Sequence, residues 1–194
     1  APRTAAIASV DSAPLGQVVG RILDVSDNDA SEVLLRHVGL AASGEGSIAA
    51  GQDGVRTLLR RAGVRMGASV LHDGSGLSRA NRMDPSLLVS VLQLAASAAR
   101  PGLRPIVAGL PIAGFTGSLT DRMDQGPAAG RGRVRAKTGT LRSVSSLAGL
   151  ATDLEGNVMV FVLMADRVRD DDNLIARVAL DNAAAALGAC SCSG

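Results

Sequence analysis

Two short motifs carry side chains that could take part in catalysis, Ser26-Asp27-Asn28 and Lys137-Thr138-Gly139-Thr140. A serine nucleophile that attacks an amide needs a base for its own proton, a route for that proton to the leaving amine, and fixed donors for the developing oxyanion. Ser26 and Asn28 suit a proton relay and the binding of a substrate amide. Lys137 beside a hydroxyl suits the binding of a substrate carboxylate. Together the motifs indicate acyl transfer at an amide.

The residues after Lys137 fit the same chemistry. Gly139 has no side chain, so a substrate backbone can approach the strand closely there. The amide of Thr140 can then point at the oxyanion. Each motif taken singly also has an ordinary structural explanation, because Ser26-Asp27-Asn28 is typical of a helix N-cap and a strand lysine before a turn is commonly solvated. We expect Asp27 to cap the following helix.

The composition excludes several other classes of function. Lys137 is the only lysine, and the remaining 19 of the 20 basic residues are arginines, so a mechanism that needs two lysines within this chain is excluded. The net charge is +2, with two Phe and no Tyr or Trp, which argues against a nucleic-acid surface. No apolar run reaches the roughly 18 residues of a membrane helix, and no apolar signal segment is expected. The spacing of His, Cys and Asp predicts no metal site and no cofactor.

The elements that position the first motif are predicted to be helices. Residues 4–10 form a candidate strand, and Ser12 is expected to cap a helix whose apolar stripe, continued by one turn, lands on Ser26. The Ser26 hydroxyl should therefore face the surface against which this helix packs. Further helices are expected from Asp29, with Glu32 in a capping box, to about residue 42, over residues 55–62, and after Asp84-Pro85.

The elements that position the second motif are predicted to be strands. Small residues dominate from 100 to 132 and indicate ordered loops and short helical turns. Strands are expected over residues 133–140, 143–153 and 157–165, followed by a helix from about Asp171 with Gly188 past its end. The predicted fold class is α/β (α+β): one unit of helices, an antiparallel sheet and a C-terminal helix.

The last residues, 189–194, are expected to form a flexible tail. They contain both cysteines, Cys190 and Cys192. A disulfide across so short a loop is expected to be strained, so the pattern favours inert thiols. Intermolecular bridging and metal capture are the alternatives.

Several ordered blocks of the chain are similar to one family. Ser26-Asp27-Asn28 and Lys137-Thr138-Gly139 match two of the three signatures of penicillin-recognising serine enzymes, whose third is Ser-x-x-Lys. The further blocks, in family order, are Asp73-Gly74-Ser75-Gly76-Leu77-Ser78, Leu110-Pro111-Ile112-Ala113-Gly114 with Gly117-Ser118-Leu119, and residues 132–149. From about residue 8 to residue 188 the chain resembles the class C low-molecular-weight penicillin-binding proteins, the D-alanyl-D-alanine carboxypeptidase and endopeptidase family.

The resemblance implies a fold, an activity and partners. It implies an incomplete penicillin-binding, serine β-lactamase-like transpeptidase fold that acts on peptidoglycan stem peptides through an acyl-enzyme and is inhibited by β-lactams. On this basis Ser26 and Asn28 relay the proton and bind the amide, Lys137 with Thr138 positions the carboxylate, and Gly139 and Thr140 belong to the substrate-binding strand. An extracytoplasmic location, on the periplasmic or cell-wall side, follows from the same resemblance.

The third signature is missing from this sequence. No Ser-x-x-Lys occurs in it, because the only lysine belongs to the second motif. We therefore expect residues 1–194 to be the C-terminal part of a single catalytic domain, with the nucleophile on the N-terminal remainder of the same protein. The isolated chain is expected to be inactive.

Three alternatives remain open from the sequence. One is a catalytically inactive scaffold or peptidoglycan-binding protein with this fold, and another is a β-lactamase-like hydrolase. The third is a site formed by His72, Asp73 and Ser75, although neighbours in sequence seldom have triad geometry.

Overall fold

The computed structural model describes residues 7–123 and 130–192. Within them, helices and strands follow in the order α1, α2, α3, α4, α5, β1, β2, β3, α6. The prediction of helices first, then antiparallel strands, then a closing helix is confirmed. The predicted strand over 4–10 is wrong for its described part, since residues 7–14 form neither helix nor strand, and residues 4–6 lie outside the described residues.

Helix α1 spans Leu15–Val25 and ends at the first motif. Pro14 precedes it and no side chain caps it. The predicted cap at Ser12 is wrong, because a capping residue must directly adjoin the first turn. The chain turns at Ser26, whose φ of 57° and ψ of 51° are left-handed, and the Ser26 N–H donates to the Ile22 carbonyl.

Helix α2 spans Asn28–Ser43. The Asp27 carboxylate accepts a hydrogen bond from the Ala30 N–H at 2.9 Å, which confirms the predicted cap. The predicted capping box at Glu32 is wrong for two reasons. Glu32 lies beyond the third helical position that a capping box uses, and the Asp27 N–H that it would accept already donates to the Ile22 carbonyl.

Helix α3 spans Ile48–Arg61, and the Ser47 hydroxyl caps it by accepting from the Ala50 N–H at 3.1 Å. The predicted start at residue 55 is too late, because the glycines before it were assigned to a loop. Gly51 and Gly54 are buried helical residues instead. A Cβ on Gly51 would collide with the Leu35 carbonyl of α2, so these glycines allow the two helix backbones to touch.

Helix α4 spans Pro85–Ala96 and begins after Asp84, whose carboxylate accepts from the Ser86 N–H at 2.9 Å, as predicted. Short turns follow, in agreement with the expected ordered loops. They are a 3-10 turn at Pro101–Leu103, helix α5 at Arg104–Ala108, and a 3-10 turn at Gly117–Leu119.

The three strands form one antiparallel sheet in the order β1-β2-β3. They span Val134–Leu141, Val144–Thr152 and Val158–Ala165, within one or two residues of the predicted bounds. Lys137 pairs with Ala148 and Gly139 pairs with Ser146. Strand β1 is therefore an edge strand, and the second motif lies along it.

The sheet is covered on both faces. Helix α6, Asn173–Ala189, covers one face through a buried cluster that includes Val134, Ala136 and Leu147. On the other face Leu150 packs with Leu92 and Leu110 beneath α4 and α5. Because side chains alternate along a strand, Lys137 lies on the second face with Arg135, the partner of Leu150.

The C-terminal segment differs from expectation. Gly188 does not end the helix as predicted but is a buried residue inside α6. Cys190 and Cys192 form a disulfide, so the expectation of inert thiols is wrong; their Cα atoms are 5.3 Å apart, within the range that disulfides use. The Cys190 carbonyl also accepts from the Leu154 N–H at 3.1 Å. Flexibility of residues 189–194 stays a prediction, and residues 193–194 lie outside the described part.

No single helix in the described ranges is long and apolar enough to cross a membrane. The segments Pro85–Ala96 and Pro101–Ala108 are long and apolar enough only when taken together, by length and composition alone. They are bent by 115° at the break between them.

Candidate functional site

Ser26 and Lys137 meet where the end of α1 approaches the edge strand. The Lys137 Nζ donates a hydrogen bond to the Ser26 Oγ at 2.8 Å and another to the Thr138 carbonyl at 2.8 Å. The Ser26 hydroxyl contacts Lys137 on β1 and so does not face bulk water, as expected. The surface against which α1 itself packs is a different one, because the helix meets α5 at Gly16 and Gly20. A left-handed serine costs about 1–3 kcal/mol of backbone strain and is typical of functional positions.

Lys137 is only half-buried, yet burial is the main influence on the pKa of its amine. Loss of water around the ammonium group lowers the pKa of Lys137 below its ordinary value. Within residues 7–123 and 130–192 no carboxylate forms an ion pair with it. The amine is thus held by neutral oxygen atoms, which leaves its charge available to an anionic group.

Asn28 stands apart from this pair. It is the first residue of α2, and its side chain is exposed. The structure brings Ser26, Lys137 and Thr138 together, whereas Asn28 is exposed and, among the described residues, its side chain has no hydrogen bond to any of them.

Ser118 is a site residue that the sequence analysis did not assign. The Thr138 Oγ1 donates to the Ser118 Oγ at 3.1 Å. The turn that carries Ser118 lies directly against the end of α1. Gly117 permits this close contact, because a Cβ there would collide with the Asp24 carbonyl and because its φ of 51° favours glycine. The signal was present, because Gly117-Ser118-Leu119 is one of the blocks shared with the family, but nothing in the sequence places it opposite Thr138.

The side of β1 that faces away from β2 is hydrogen-bonded to other backbone groups in the first half of the strand. The Ala136 N–H donates to the Pro111 carbonyl and the Ala113 N–H donates to the Val134 carbonyl, each at 2.9 Å. Residues 134 and 136 therefore turn their backbone groups toward the edge. By the period of two, Thr138 and Thr140 do the same, which directs the Thr140 N–H away from β2.

Gly139 has a second reason to be glycine. A Cβ there would collide with the Ser146 hydroxyl on the paired strand. The Ser146 Oγ lies 3.4 Å from the Gly139 carbonyl, to which it donates. A side chain at position 139 would thus displace the Ser146 hydroxyl as well as close the approach to the strand.

The loop over residues 73–78 is joined to α2 and does not form a triad. The Ser75 Oγ donates to a Glu32 oxygen at 2.6 Å, and the Ser75 and Gly74 N–H groups donate to the same carboxylate. Asp73 accepts from the Asn81 side chain at 2.7 Å. The Ser75 hydroxyl is therefore committed to Glu32, and in the described residues no hydrogen bond joins it to His72.

Among residues 7–123 and 130–192, no three His, Cys, Asp or Glu side chains are grouped so that they could hold a metal ion.

Curated relatives of this chain are carboxypeptidases. It is 36% identical over 192 residues to a carboxypeptidase of Mycobacterium tuberculosis and 39% identical over 189 residues to the carboxypeptidase DacB of Mycolicibacterium smegmatis. Each match covers 96% of this chain and 40% of the relative. The chain therefore spans about two fifths of the length of these relatives.

Solved structures share its fold. Penicillin binding protein 4 of Haemophilus influenzae, complexed with a β-lactam, superposes with a TM-score of 0.78 and 30% identity over 88% of this chain and 40% of that protein. An extended-spectrum β-lactamase superposes with a TM-score of 0.63 and 14% identity over 89% of this chain and 62% of that protein, which shows the fold alone. The penicillin-binding, β-lactamase-like fold class is confirmed.

The family assignment rests on nearly the whole chain. A profile described as D-Ala-D-Ala carboxypeptidase 3 (S13) family matches residues 2–187 and so spans both motifs and the loop between the sheet and α4. The hydrogen bond between Ser26 and Lys137, the turn that carries Ser118 and the edge strand all lie within it. The chain belongs to the D-Ala-D-Ala carboxypeptidase 3 (S13) family.

Proposed function

We propose that the full-length protein is a serine D,D-peptidase that removes the terminal D-Ala from peptidoglycan stem peptides, and that this chain supplies one half of its active site. The observation that carries the proposal is the 2.8 Å hydrogen bond between Lys137 Nζ and Ser26 Oγ, two side chains 111 residues apart. Residues 1–194 are then the C-terminal part of a single catalytic domain. Cleavage of D,D cross-links by the same chemistry is the related endopeptidase activity.

In the proposed reaction, a serine on the N-terminal remainder attacks the carbonyl of the D-Ala-D-Ala bond. Its proton passes by way of Ser26 to the leaving amine, so that free D-Ala departs and an acyl-serine ester remains. Water then attacks the ester, the acid product leaves and the serine regains its proton. Such proton relays contribute about 10²–10⁴-fold to the rate.

The remaining site residues bind the substrate. The ammonium of Lys137 with the Thr138 hydroxyl attracts the terminal carboxylate, and Asn28, exposed at the start of α2, binds a substrate amide. The Thr140 N–H serves the oxyanion. Gly139 keeps the strand open to the peptide backbone. The outward direction of the backbone groups of the even-numbered β1 residues supports the role of the Thr140 N–H.

β-Lactams would bind as substrate analogues and halt at the acyl stage. The likeness to a penicillin binding protein solved with a β-lactam supports this part of the proposal. Because peptidoglycan is the proposed substrate, an extracytoplasmic location on the periplasmic or cell-wall side is part of the same proposal.

A fluorescent penicillin tests the proposal. Purified full-length protein and the 194-residue chain are each incubated with the label and separated under denaturing conditions. We expect a covalent adduct on the full-length protein only, together with release of D-Ala from a peptide that ends in D-Ala-D-Ala.

Other results would lead elsewhere. No adduct on the full-length protein would contradict the proposal and favour a scaffold. An adduct on the 194-residue chain would show that the nucleophile lies within it. Rapid loss of the adduct with turnover of penicillin would indicate a β-lactamase.

A further inference from the structure

The two cysteines lie beyond the part of the chain that matches the family. The family match ends at residue 187, and the Cys190–Cys192 disulfide follows directly on α6. Only Ser191 separates the two cysteines. Because the stabilisation that a disulfide gives increases with the length of the loop it closes, this one contributes less to the fold than a disulfide between distant elements. Residues 190–192, which we call the disulfide ring, are therefore explained better by another role than by tethering.

The disulfide ring binds the turn between β2 and β3 through its backbone. The Leu154 N–H donates to the Cys190 carbonyl at 3.1 Å. The Cys192 N–H donates to the Asp153 carboxylate. The ring thus presents one acceptor and one donor to neighbouring residues of the same turn. Because the disulfide joins Cys190 to Cys192, it holds these two groups in one relative orientation.

The Asp153 carboxylate makes this contact sensitive to the ring. Asp153 is fully buried, and its carboxylate also accepts from the Glu155 N–H at 2.9 Å and the Asn157 N–H at 2.8 Å. The pKa of Asp153 is lowered, mainly because the Asn157 side chain donates to it, and the Cys192 N–H acts in the same direction. A buried charge is stable only with its hydrogen-bond donors in place. The ring is therefore one of the donors on which this carboxylate depends.

The two sulfur atoms differ in access. Cys192 is exposed, whereas Cys190 is half-buried at the end of α6. Thiol–disulfide exchange requires a thiolate to reach one sulfur while the other sulfur leaves, and access decides which sulfur is attacked. Attack at the Cys192 Sγ, with Cys190 as the leaving group, is therefore the favoured direction.

We propose that the Cys190–Cys192 disulfide is a thiol–disulfide exchange site, and that its opening by a dithiol releases the disulfide ring from the β2–β3 turn. A thiolate of the dithiol attacks the Cys192 Sγ, the disulfide bond breaks, and Cys190 leaves as a thiolate that takes a proton from water. The second thiol of the reductant, as a thiolate, attacks its own sulfur in the mixed disulfide and displaces Cys192, which is protonated in turn. Two electrons pass from the dithiol, which becomes a disulfide, to the two cysteines.

Opening weakens the contact because it restores freedom to the backbone. Once the bond is broken, the Cys190 carbonyl and the Cys192 N–H must each be ordered separately on the turn, which costs conformational entropy that the closed ring does not lose. The inference does not depend on the proposed function, since none of the candidate site residues takes part in it.

Hydrogen–deuterium exchange of the full-length protein, before and after reduction with dithiothreitol, tests the release. We expect the Leu154 amide to exchange at least about tenfold faster after reduction, because its acceptor is then on a freed segment. The Val168 amide is the internal control, since it donates to the Ser143 carbonyl at the opposite end of the sheet and should not change. Mass spectrometry with residue-resolving fragmentation measures both amides and verifies that the disulfide is reduced.

The double variant Cys190→Ser with Cys192→Ser separates this disulfide from any other in the full-length protein. Its Leu154 amide should exchange at the fast rate with and without dithiothreitol. Unchanged exchange of Leu154 in the reduced wild type would overturn the proposal, and this measurement does not depend on the variant. An equal increase at Val168 would show general unfolding and would contradict a local release.

The attacked sulfur is identified separately. The full-length protein is mixed briefly with excess reduced glutathione, a monothiol that cannot complete the second step, and the reaction is stopped with acid. Peptide mass spectrometry should find glutathione on Cys192 and a free thiol at Cys190. Glutathione on Cys190, or a disulfide that stays closed in excess dithiothreitol, would overturn the assignment of an exchange site.

Discussion

At the scale of single residues, the site depends on one hydroxyl that is held in place from two sides. The left-handed turn at Ser26 ends α1, and the Lys137 amine donates to the Ser26 Oγ. A glycine or an asparagine would adopt that turn more easily. A serine there is explained by the chemistry of its side chain better than by its backbone preference.

Removal of this hydroxyl should therefore affect the reaction and leave the fold intact. In the full-length protein, Ser26→Ala is expected to lower the rate of acylation by penicillin by about 10²–10⁴-fold, the usual contribution of a proton relay. Ser43→Ala is the matched control, because the Ser43 hydroxyl donates only to the Gly39 carbonyl at the far end of α2. Stopped-flow acylation rates measure both. Equal rates for the two variants would remove Ser26 from the mechanism.

The lowered pKa of Lys137 predicts a dependence of stability on pH. Between its lowered folded value and the ordinary value of 10.5, the folded chain binds fewer protons than the unfolded chain, so the free energy of unfolding rises with pH. Lys137→Met removes this contribution. The unfolding free energy of the wild type relative to Lys137→Met should therefore increase from pH 7 to pH 10 in urea denaturation. A constant or falling difference would show that burial does not perturb this amine.

At the scale of elements, α2 connects the first motif to the loop over residues 73–78. The Glu32 carboxylate accepts from the Ser75 hydroxyl, which is the main reason that its pKa is lowered, and from two loop N–H groups. The loop in turn reaches the end of β1, since the Arg79 Nη1 donates to the Arg142 carbonyl at 2.6 Å. This chain of contacts joins the helix that follows Ser26 to the strand that carries Lys137.

Ser75→Ala should weaken this connection only while Glu32 is ionised. At pH 7 we expect a loss of about 1 kcal/mol in the free energy of unfolding. Because a lowered carboxyl pKa stabilises the fold above the unfolded pKa, the loss should shrink as the pH falls through the folded pKa of Glu32.

Ser78→Ala is the control for this prediction, because the Ser78 hydroxyl accepts from the Ala80 N–H and, among the described residues, has no hydrogen bond to a carboxylate. Urea unfolding of both variants at pH 7 and at a series of lower pH values gives the comparison. A deficit of Ser75→Ala that does not shrink at any pH below the ordinary Glu pKa of 4.5 would assign the effect to loop geometry and not to the Glu32 charge.

The elements that the sequence predicted well are those defined by local pattern. The strands are recognisable because apolar residues alternate or run between turns, and α4 because Asp84 and Pro85 open it. The elements missed are those that depend on distant contacts. Helix α3 contains glycines because α2 lies against them, and Glu32 binds a loop more than 40 residues away.

For the same reason, only some residues of the candidate site could be predicted from the sequence. The Lys-Thr-Gly strand was found by its motif, whereas the contact of Ser26 with that strand does not follow from the apolar stripe of α1, which packs on α5 through Gly16 and Gly20. Ser118 was not assigned, since its place opposite Thr138 depends on Gly117 meeting the end of α1. Local rules thus place the motifs on their elements, and only the tertiary structure brings the elements together.

At the scale of the whole molecule, a bidentate ion pair joins the wall of the site to the closing helix. Arg122 follows the turn that carries Ser118, and it donates to both oxygens of Asp181 on α6. Both side chains are only 13% exposed. Helix α6 therefore supports the sheet from one face and the Ser118 turn from the side.

Asp181→Ala should destabilise the protein strongly, because it leaves the Arg122 guanidinium without its partner in a mostly buried position. We expect a loss of about 3 kcal/mol in the free energy of unfolding. Asp53→Ala breaks the exposed Arg56–Asp53 pair and should cost less than about 1 kcal/mol. Urea denaturation of both variants measures the contrast, and losses of similar size would mean that the Arg122–Asp181 pair has no structural importance of its own.

The partial cover over β1 also bears on solubility. The unpaired N–H and C=O groups of an exposed edge strand can pair with another chain, which can lead to aggregation. Residues 111–113 occupy the first half of this edge by hydrogen bonding to residues 134 and 136. Among the described residues, no other strand pairs with the stretch around Thr138 and Thr140, where the Thr138 carbonyl accepts only from the Lys137 side chain. The stretch without a strand partner can pair with a short extended peptide, whereas the covered half offers few free backbone groups to another chain. At this edge of the sheet, protection from aggregation and access for a peptide thus depend on neighbouring residues of one strand.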